Sequence, residues 1–126
     1  MVVLQVPSQQ VELNQVAIFY DTQNQPLRLI TNRADTGYLT IKPINAKAIA
    51  VDNKAFELWM LPAFGNPTSL GLMPVTGKPQ EVILSPQILN ILQSTDGLAI
   101  SVEPLSGSPT SLPTGPVIYR APIVAL

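Results

Sequence analysis

The side chains in this sequence that could do acid–base chemistry are its carboxylates, because histidine and cysteine are both absent. A chain without histidine lacks the commonest general base and the commonest metal ligand. A chain without cysteine has neither thiolate ligands nor disulfides. Glycosidase chemistry needs two carboxylates that face each other across a cleft, and no spacing here brings two acids together. Turn or surface positions are therefore predicted for all the acids, which are Glu12, Asp21, Asp35, Asp52, Glu57, Glu81, Asp96 and Glu103.

Other reactive arrangements are weaker still. A Ser–Lys hydrolase needs a serine held against a desolvated lysine, and Lys42, Lys47, Lys54 and Lys78 have no such context. Calcium loops need carboxylates at alternate positions, which "DNK" and "ADTG" do not provide. The sequence therefore predicts a protein that is not an enzyme and has no cofactor or metal site.

The charge balance excludes a nucleic-acid partner. Seven basic and eight acidic residues give a net charge of −1 with no run of either sign, whereas nucleic-acid binding needs a clustered basic face. Charged residues make up 12% of the chain, about half the usual share. No apolar stretch reaches the roughly 20 residues that span a bilayer, and the start "MVVLQVPSQQ" lacks the features of a signal peptide.

The elements that position these residues are predicted to be short strands. Thirteen prolines punctuate the chain too often for long helices. One helix is predicted in "SPQILNILQST", with Ser85 as N-cap and Pro86 at its first position. The fold class is all-β, a single antiparallel β-sandwich domain over 1–126 with about eight short strands and this one helix. The predicted strands are "VVLQV", "QVAIFYD", "PLRLIT", "YLTIKPI", "KAIAV", "AFELWML", "EVIL", "LAISVE" and the C-terminal "VIYRAPIVAL", with hairpin turns at Gly65-Asn66-Pro67 and Thr76-Gly77-Lys78-Pro79.

The strand "LAISVE" alternates apolar and polar side chains after an Asp96-Gly97 turn, which is typical of a half-buried antiparallel strand. Ile100 is predicted on the core face and Ser101 on the exposed face. Trp59 is the only tryptophan and is predicted in or near the core, with its indole N–H bound to a carbonyl. An exposed, sugar-stacking Trp59 is the alternative.

The stretch "SGSPTSLPTGPVIY" joins the last two long apolar runs. Residues that precede proline disfavour the α region, so this loop is predicted to be extended, stiff and ordered. It is interpreted as a crossover between two sheets, with a ligand-binding loop as the alternative.

Four segments, "ELWMLP", "PTSLGLMP", "GLAISVEP" and "GSPTSLPTGPVIY", resemble in that order the C-terminal domain of the anti-sigma-K factor family. The resemblance is strong over about residues 52–122, and Ser106 stands where a first glycine of a Gly-Gly pair is common. The family-motif positions, which are expected to be structural, are Leu58, Trp59, Ser69, Leu70, Gly71, Val102, Glu103, Pro104, Gly107, Ser108, Pro109, Pro113, Thr114, Gly115 and Pro116.

The resemblance implies a transmembrane regulator whose cytoplasmic segment holds an extracytoplasmic-function sigma factor. This chain would be its extracytoplasmic (periplasmic) domain alone, and the membrane helix and the sigma-binding segment would lie outside it. Regulated cleavage by membrane proteases would free the sigma factor. The family provides no catalytic residues to carry over, and homo-oligomerisation stays open.

A carbohydrate- or peptide-binding β-sandwich module is the alternative function. The environment of Trp59 discriminates between the two, since an exposed Trp59 beside a groove favours the binding module and a buried one favours a scaffold.

Overall fold

The computed structural model describes residues 15–33, 37–44, 53–73 and 78–126. The predicted strands "VVLQV" and "KAIAV" and the turn at Thr76-Gly77 fall outside these ranges, as do Glu12, Asp35, Lys47 and Asp52.

The described residues form two antiparallel sheets, which confirms the all-β class. The strands are β1 (Gln15–Tyr20), β2 (Pro26–Arg33), β3 (Tyr38–Pro43), β4 (Lys54–Pro62), β5 (Thr68–Leu72), β6 (Gln80–Ile83), β7 (Thr95–Pro104), β8 (Val117–Pro122) and β9 (Val124–Ala125). The first sheet has the strand order β6-β3-β2-β1-β9 and the second has the order β5-β4-β7-β8.

One hydrophobic core lies between the two sheets. The inner face of the first sheet contributes the fully buried Phe19 and Leu39, and the inner face of the second contributes Leu58, Met60 and Leu98. Inner residues alternate along each strand with residues of the opposite face, as the two-residue period of a strand requires. The chain returns from the second sheet to the first between β8 and β9, and β9 then pairs with β1.

The predicted helix is confirmed as α1 (Pro86–Gln93). The Ser85 side chain accepts a hydrogen bond from the backbone N–H of Ile88 at 3.2 Å, and Pro86 begins the helix. Leu92 is fully buried in the core. The helix end is also tied to the first sheet, because Gln15 donates from Nε2 to the Leu92 carbonyl at 2.9 Å. Among the described residues, no helix is long and apolar enough to cross a membrane.

The turns agree with the prediction in two places and differ in one. Asp21 accepts backbone N–H bonds from Gln23 and Gln25, both at 2.8 Å, as a turn aspartate does. The Gly65-Asn66-Pro67 segment connects β4 to β5. The predicted Asp96-Gly97 turn is wrong, because both residues already belong to β7. Gly97 pairs with Leu61 of β4 and with Pro122 of β8, and Asp96 is the extra residue at a register shift.

The prediction that β7 is half-buried is also wrong. Ala99, Ser101 and Glu103, on the face away from the core, are as buried as Leu98 and Ile100. The second sheet therefore carries a covering layer on its outer face, and that layer contains seven of the fifteen residues of the resemblance.

Candidate functional site

The covering layer is the connection between β7 and β8, here named the clasp loop (residues 105–116). It lies against the outer face of β4 and β7, where Glu57, Trp59, Ser101 and Glu103 are 0–6% exposed. The backbone of Gly107 is so close that an added Cβ would stand 3.2 Å from a Glu57 carboxylate oxygen. Residues scattered over more than fifty positions of sequence thus meet in one cluster.

Glu103 holds the second half of the clasp loop. Its carboxylate accepts hydrogen bonds from the Thr114 backbone N–H at 3.2 Å, the Thr114 hydroxyl at 2.5 Å and the Gly115 N–H at 3.3 Å. The Ser101 hydroxyl donates to Oε2 from the same strand at 2.6 Å. Backbone donors bound to a buried carboxylate order a loop, because an unpaired buried donor or acceptor costs about 1–3 kcal/mol, more than a typical hydrogen bond contributes.

These donors also determine the ionisation of Glu103. Burial by itself raises the pKa of the carboxyl group, and the hydrogen bonds from Ser101, Thr114 and Gly115 lower it. The hydrogen bonds prevail, so the pKa of Glu103 lies below the ordinary value of a glutamate. The group is therefore an anion at neutral pH although its side chain is fully buried.

Glu57 holds the first half of the clasp loop. Its Oε1 accepts the Ser108 backbone N–H at 2.8 Å, and its Oε2 accepts the Ser69 hydroxyl at 2.5 Å. Ser69 Oγ in turn accepts the Gly71 N–H at 3.1 Å. Glu57 therefore ties the clasp loop to the edge strand β5 as well as to its own strand β4.

Trp59 supports Glu103 through Ser101. Its side chain is fully buried, and its indole N–H donates to the Ser101 hydroxyl at 2.8 Å. Because Ser101 donates onward to Glu103, the three side chains form a continuous hydrogen-bonded chain. The predicted burial of Trp59 is confirmed, whereas its predicted carbonyl acceptor is wrong and is replaced by a hydroxyl. A tryptophan in this position offers no stacking platform to a sugar, and the scaffold interpretation is favoured.

The Ser-Leu-Gly segment makes a β-bulge in the hairpin of β4 and β5. Leu58 pairs with Gly71 and Trp59 with Ser69, so that Leu70 is the extra residue. Its side chain is buried in the core. Gly71 has a φ of +112°, a left-handed conformation that favours glycine. The bulge allows Ser69 to reach Glu57 while Leu70 packs on the opposite side of the sheet.

The Pro-Thr-Gly-Pro segment ends the clasp loop against the backbone of β7. A Cβ on Gly115 would stand 1.7 Å from the Val102 carbonyl oxygen, so only glycine fits there. The next residue, Pro116, accepts the Val102 N–H at 3.0 Å, and β8 begins directly after it. Pro113 is half-buried beside this junction.

The remaining motif residues shape the exposed part of the clasp loop. Gly107 donates its N–H to the Pro104 carbonyl at 2.8 Å, which closes a turn as β7 ends. The Ser108 hydroxyl donates to the Leu112 carbonyl, and Pro109 between them is exposed. The prediction of an extended, stiff loop is therefore refined, because its centre folds back on itself.

Two acids thus differ from the prediction that all acids lie in turns or on the surface. Glu57 and Glu103 are buried because the clasp loop supplies both with N–H donors, and a hydroxyl of Ser69 or Thr114 completes each set. Glu81 and Asp96 are exposed, as predicted. No group of three carboxylates that could hold a metal ion occurs among the residues that the structure describes.

The hydrogen bonds of this cluster hold the clasp loop in place. A carboxylate acts as a general base only with a lone pair directed at a substrate proton, and the carboxylate oxygens of both glutamates already accept hydrogen bonds from donors of the protein. The cluster instead converts a glycine- and proline-rich segment into an ordered cover over β4 and β7.

The comparisons with known proteins address the same residues. The sequence matches the family described as anti-sigma-K factor rskA, C-terminal, over residues 2–117. The chain belongs to this family. The match contains all the motif positions, and it extends the resemblance, which was specific only from about residue 52, to nearly the whole chain. A search of curated proteins and a search of solved structures found no match.

Membership of the anti-sigma-K factor family supports an anti-sigma regulatory role and implies a sigma factor as the partner of such regulators. The motif residues form the clasp loop and the parts of β4, β5 and β7 next to it. Sequence reasoning missed Glu57 and Ser101, which carry half of the hydrogen bonds of the cluster. The spacing of Glu57 and Trp59, two residues apart on one strand, was the available sign that both share a face.

Proposed function

We propose that this domain is the extracytoplasmic regulatory part of a membrane-anchored anti-sigma factor, and that its folded state limits regulated proteolysis of the whole regulator. The single observation that carries the proposal is the family match over residues 2–117. The sigma factor, of the extracytoplasmic-function class, would bind a cytoplasmic segment of the regulator and not this domain. The domain itself is non-catalytic in this proposal.

The clasp loop supports a role for folding in the control of cleavage. Proteases cleave segments that can adopt an extended, accessible conformation, and ordered loops are cut through local unfolding. The backbone N–H groups of Ser108, Thr114 and Gly115 are held by buried carboxylates. Opening the loop requires these hydrogen bonds to break and exposes Trp59 to solvent. Cleavage would therefore follow a substantial rearrangement of the outer face of the second sheet.

A core lesion in the full-length regulator tests the proposal. Ile100 is 3% exposed and lies opposite Leu58 in the centre of the second sheet. Ile100→Asp buries a carboxylate without a partner, which costs upwards of about 3 kcal/mol. A native domain has only about 5–15 kcal/mol of stability. We expect raised sigma-dependent transcription without inducer, measured with a reporter, and cleavage of the regulator on immunoblots.

The matched control must introduce the same charge without unfolding the domain. Ser101 was the predicted exposed control and is unsuitable, because it is fully buried. Ser111 is exposed at the tip of the clasp loop and has a φ of +63°, which aspartate tolerates. Ser111→Asp should leave the reporter at its basal level.

Two results would contradict the proposal. If Ile100→Asp unfolds the domain while the regulator stays intact and the reporter silent, folding does not limit cleavage. If the present chain alone co-purifies stably with the sigma factor, the division between a sigma-binding segment and this domain is wrong.

A further inference from the structure

A positive charge lies inside the sandwich, at the end of the core away from α1. Arg28 stands on the inner face of β2, where it pairs with Phe19 of β1 and Pro43 of β3. It alternates with the core residue Ile30, and its side chain is only 9% exposed. An arginine at an inner position of a β-sandwich needs an explanation, because charged side chains are seldom buried without a partner.

No carboxylate neutralises this charge among the residues that the structure describes. The one hydrogen bond that the guanidinium makes there runs from Nη1 to the Leu27 carbonyl at 3.0 Å. A guanidinium carries five N–H donors. None of the Arg28 nitrogens is buried without a hydrogen-bond partner, so the donors that do not bind Leu27 reach accessible space. The two buried carboxylates, Glu57 and Glu103, are bound to the clasp loop.

The ionisation of Arg28 reflects the same surroundings. Burial lowers the pKa of the guanidinium, and the nearby Tyr119 acts in the opposite direction. Arginine stays protonated in proteins even so, which leaves a buried cation that gains from any anion able to reach it.

The space for such an anion is present beside the guanidinium. Arg28 lines a cavity of about 20 Å³ whose other walls are apolar or aromatic, among them Phe19, Phe56, Met73 and Tyr119. A cavity of this size holds one or two water-sized groups. Apolar walls with one charged group at a defined place are the usual composition of a small-molecule site.

We propose that this cavity is a binding site for a carboxylate of one or two carbons, formate or acetate, whose two oxygens occupy the space of about 20 Å³. The two oxygens of the carboxylate match the fork of the Arg28 guanidinium, and its short apolar end lies against the aromatic walls. This site is on the opposite side of the second sheet from the clasp loop, because Ile100 lines the cavity whereas Ser101 faces the clasp. The inference goes beyond the proposed function and does not depend on it.

Thermal unfolding of the 126-residue chain with sodium acetate, at neutral pH and matched ionic strength against sodium chloride, tests the site. A ligand at ten times its Kd raises Tm by about 5 °C in a domain of this size. We expect this rise with acetate and formate, and no rise with acetamide, which has the shape of acetate without its charge. Benzoate should also have no effect, because its ring exceeds the cavity.

Three substitutions locate the effect. Arg28→Met removes the charge and keeps an apolar side chain, and it should abolish the difference between acetate and chloride. Arg120→Met, which removes an exposed arginine of β8, should preserve the difference. Arg28→Lys keeps the charge but cannot bind both carboxylate oxygens as the guanidinium does. It should weaken acetate binding at least tenfold in an NMR titration. This variant replaces Arg28→Met if the latter does not fold.

The proposal is overturned by either of two results. Equal Tm values of the wild-type protein in acetate and chloride show that no carboxylate site exists. An undiminished acetate effect in both Arg28 variants shows that the site lies elsewhere.

Discussion

Replacing Glu103 by glutamine removes the charge at the centre of the clasp and keeps the size of the side chain. The carboxylate receives hydrogen bonds from the hydroxyls of Ser101 and Thr114 and from the N–H groups of Thr114 and Gly115. Glutamine retains one acceptor oxygen, but an NH₂ group replaces the second oxygen. This group cannot accept a hydrogen bond, and its two hydrogens face the donors. At least one donor then loses its acceptor in a buried position.

The magnitude follows from the hydrogen bonds that are lost. A hydrogen bond to a charged group contributes about 1.5–3 kcal/mol, and a buried donor left unpaired costs about 1–3 kcal/mol. Allowing for rotation of the hydroxyls, we expect Glu103→Gln to lower the free energy of unfolding by about 3 kcal/mol. Urea unfolding followed by circular dichroism measures this change. Limited proteolysis should show faster cleavage within residues 105–116.

The pH dependence provides an independent check on the same residue. The pKa of Glu103 is lowered in the folded protein, so its contribution to stability is complete above the ordinary glutamate pKa of about 4.3 and is lost as the pH falls through the native pKa. The difference in stability between wild type and Glu103→Gln should therefore be constant near neutral pH and shrink below about pH 4.3.

Glu81 provides the matched control, because it is an exposed glutamate on β6. Glu81→Gln should change the free energy of unfolding by less than about 0.5 kcal/mol. If Glu103→Gln is equally mild, with unchanged cleavage of the clasp loop, the hydrogen bonds of Glu103 do not fasten that loop and the description of the cluster is wrong.

Four further substitutions probe the clasp loop and its supports. Gly115→Ala places a Cβ 1.7 Å from the Val102 carbonyl oxygen, and should lower stability by about 3 kcal/mol or more in urea unfolding, because backbone must move; a neutral result would contradict this close contact. Trp59→Phe loses the bond to the Ser101 hydroxyl and should cost about 2 kcal/mol, while a cost near zero would mean that the indole N–H is not essential. Pro113→Ala and Pro116→Ala should each lower the free energy of unfolding by about 0.5–1 kcal/mol, and Tm with it, because the unfolded chain gains conformational entropy. Cleavage of the wild-type loop as fast as a disordered tail would refute its ordering.

The local features of the fold could be predicted from sequence because their causes lie within a few residues. The N-cap Ser85 and the following Pro86 define the start of α1, and the hydrogen bonds of Asp21 define its turn. The apolar runs of β1 to β4 also lie where the prediction places them.

The candidate site could be predicted only in part, because its causes are long-range. The hydrogen bond from Ser108 to Glu57 joins residues that are 51 positions apart, and nothing local to either residue indicates it. The same absence of long-range information explains the error in β7. Alternation of apolar and polar side chains normally means one face in water, but Ser101 and Glu103 are polar because they bind the clasp loop. The family resemblance identified which residues matter without showing that they touch.

The position of Trp59 gives this protein a built-in optical probe. It is the only tryptophan in the chain, and its indole binds Ser101 beneath the clasp loop, fully shielded from solvent. Its fluorescence emission should therefore lie at short wavelength in the native state and shift to the red when the outer face of the second sheet becomes wet. Time-resolved emission after a temperature or acid jump can then separate release of the loop from loss of the core, without any label attached to the protein.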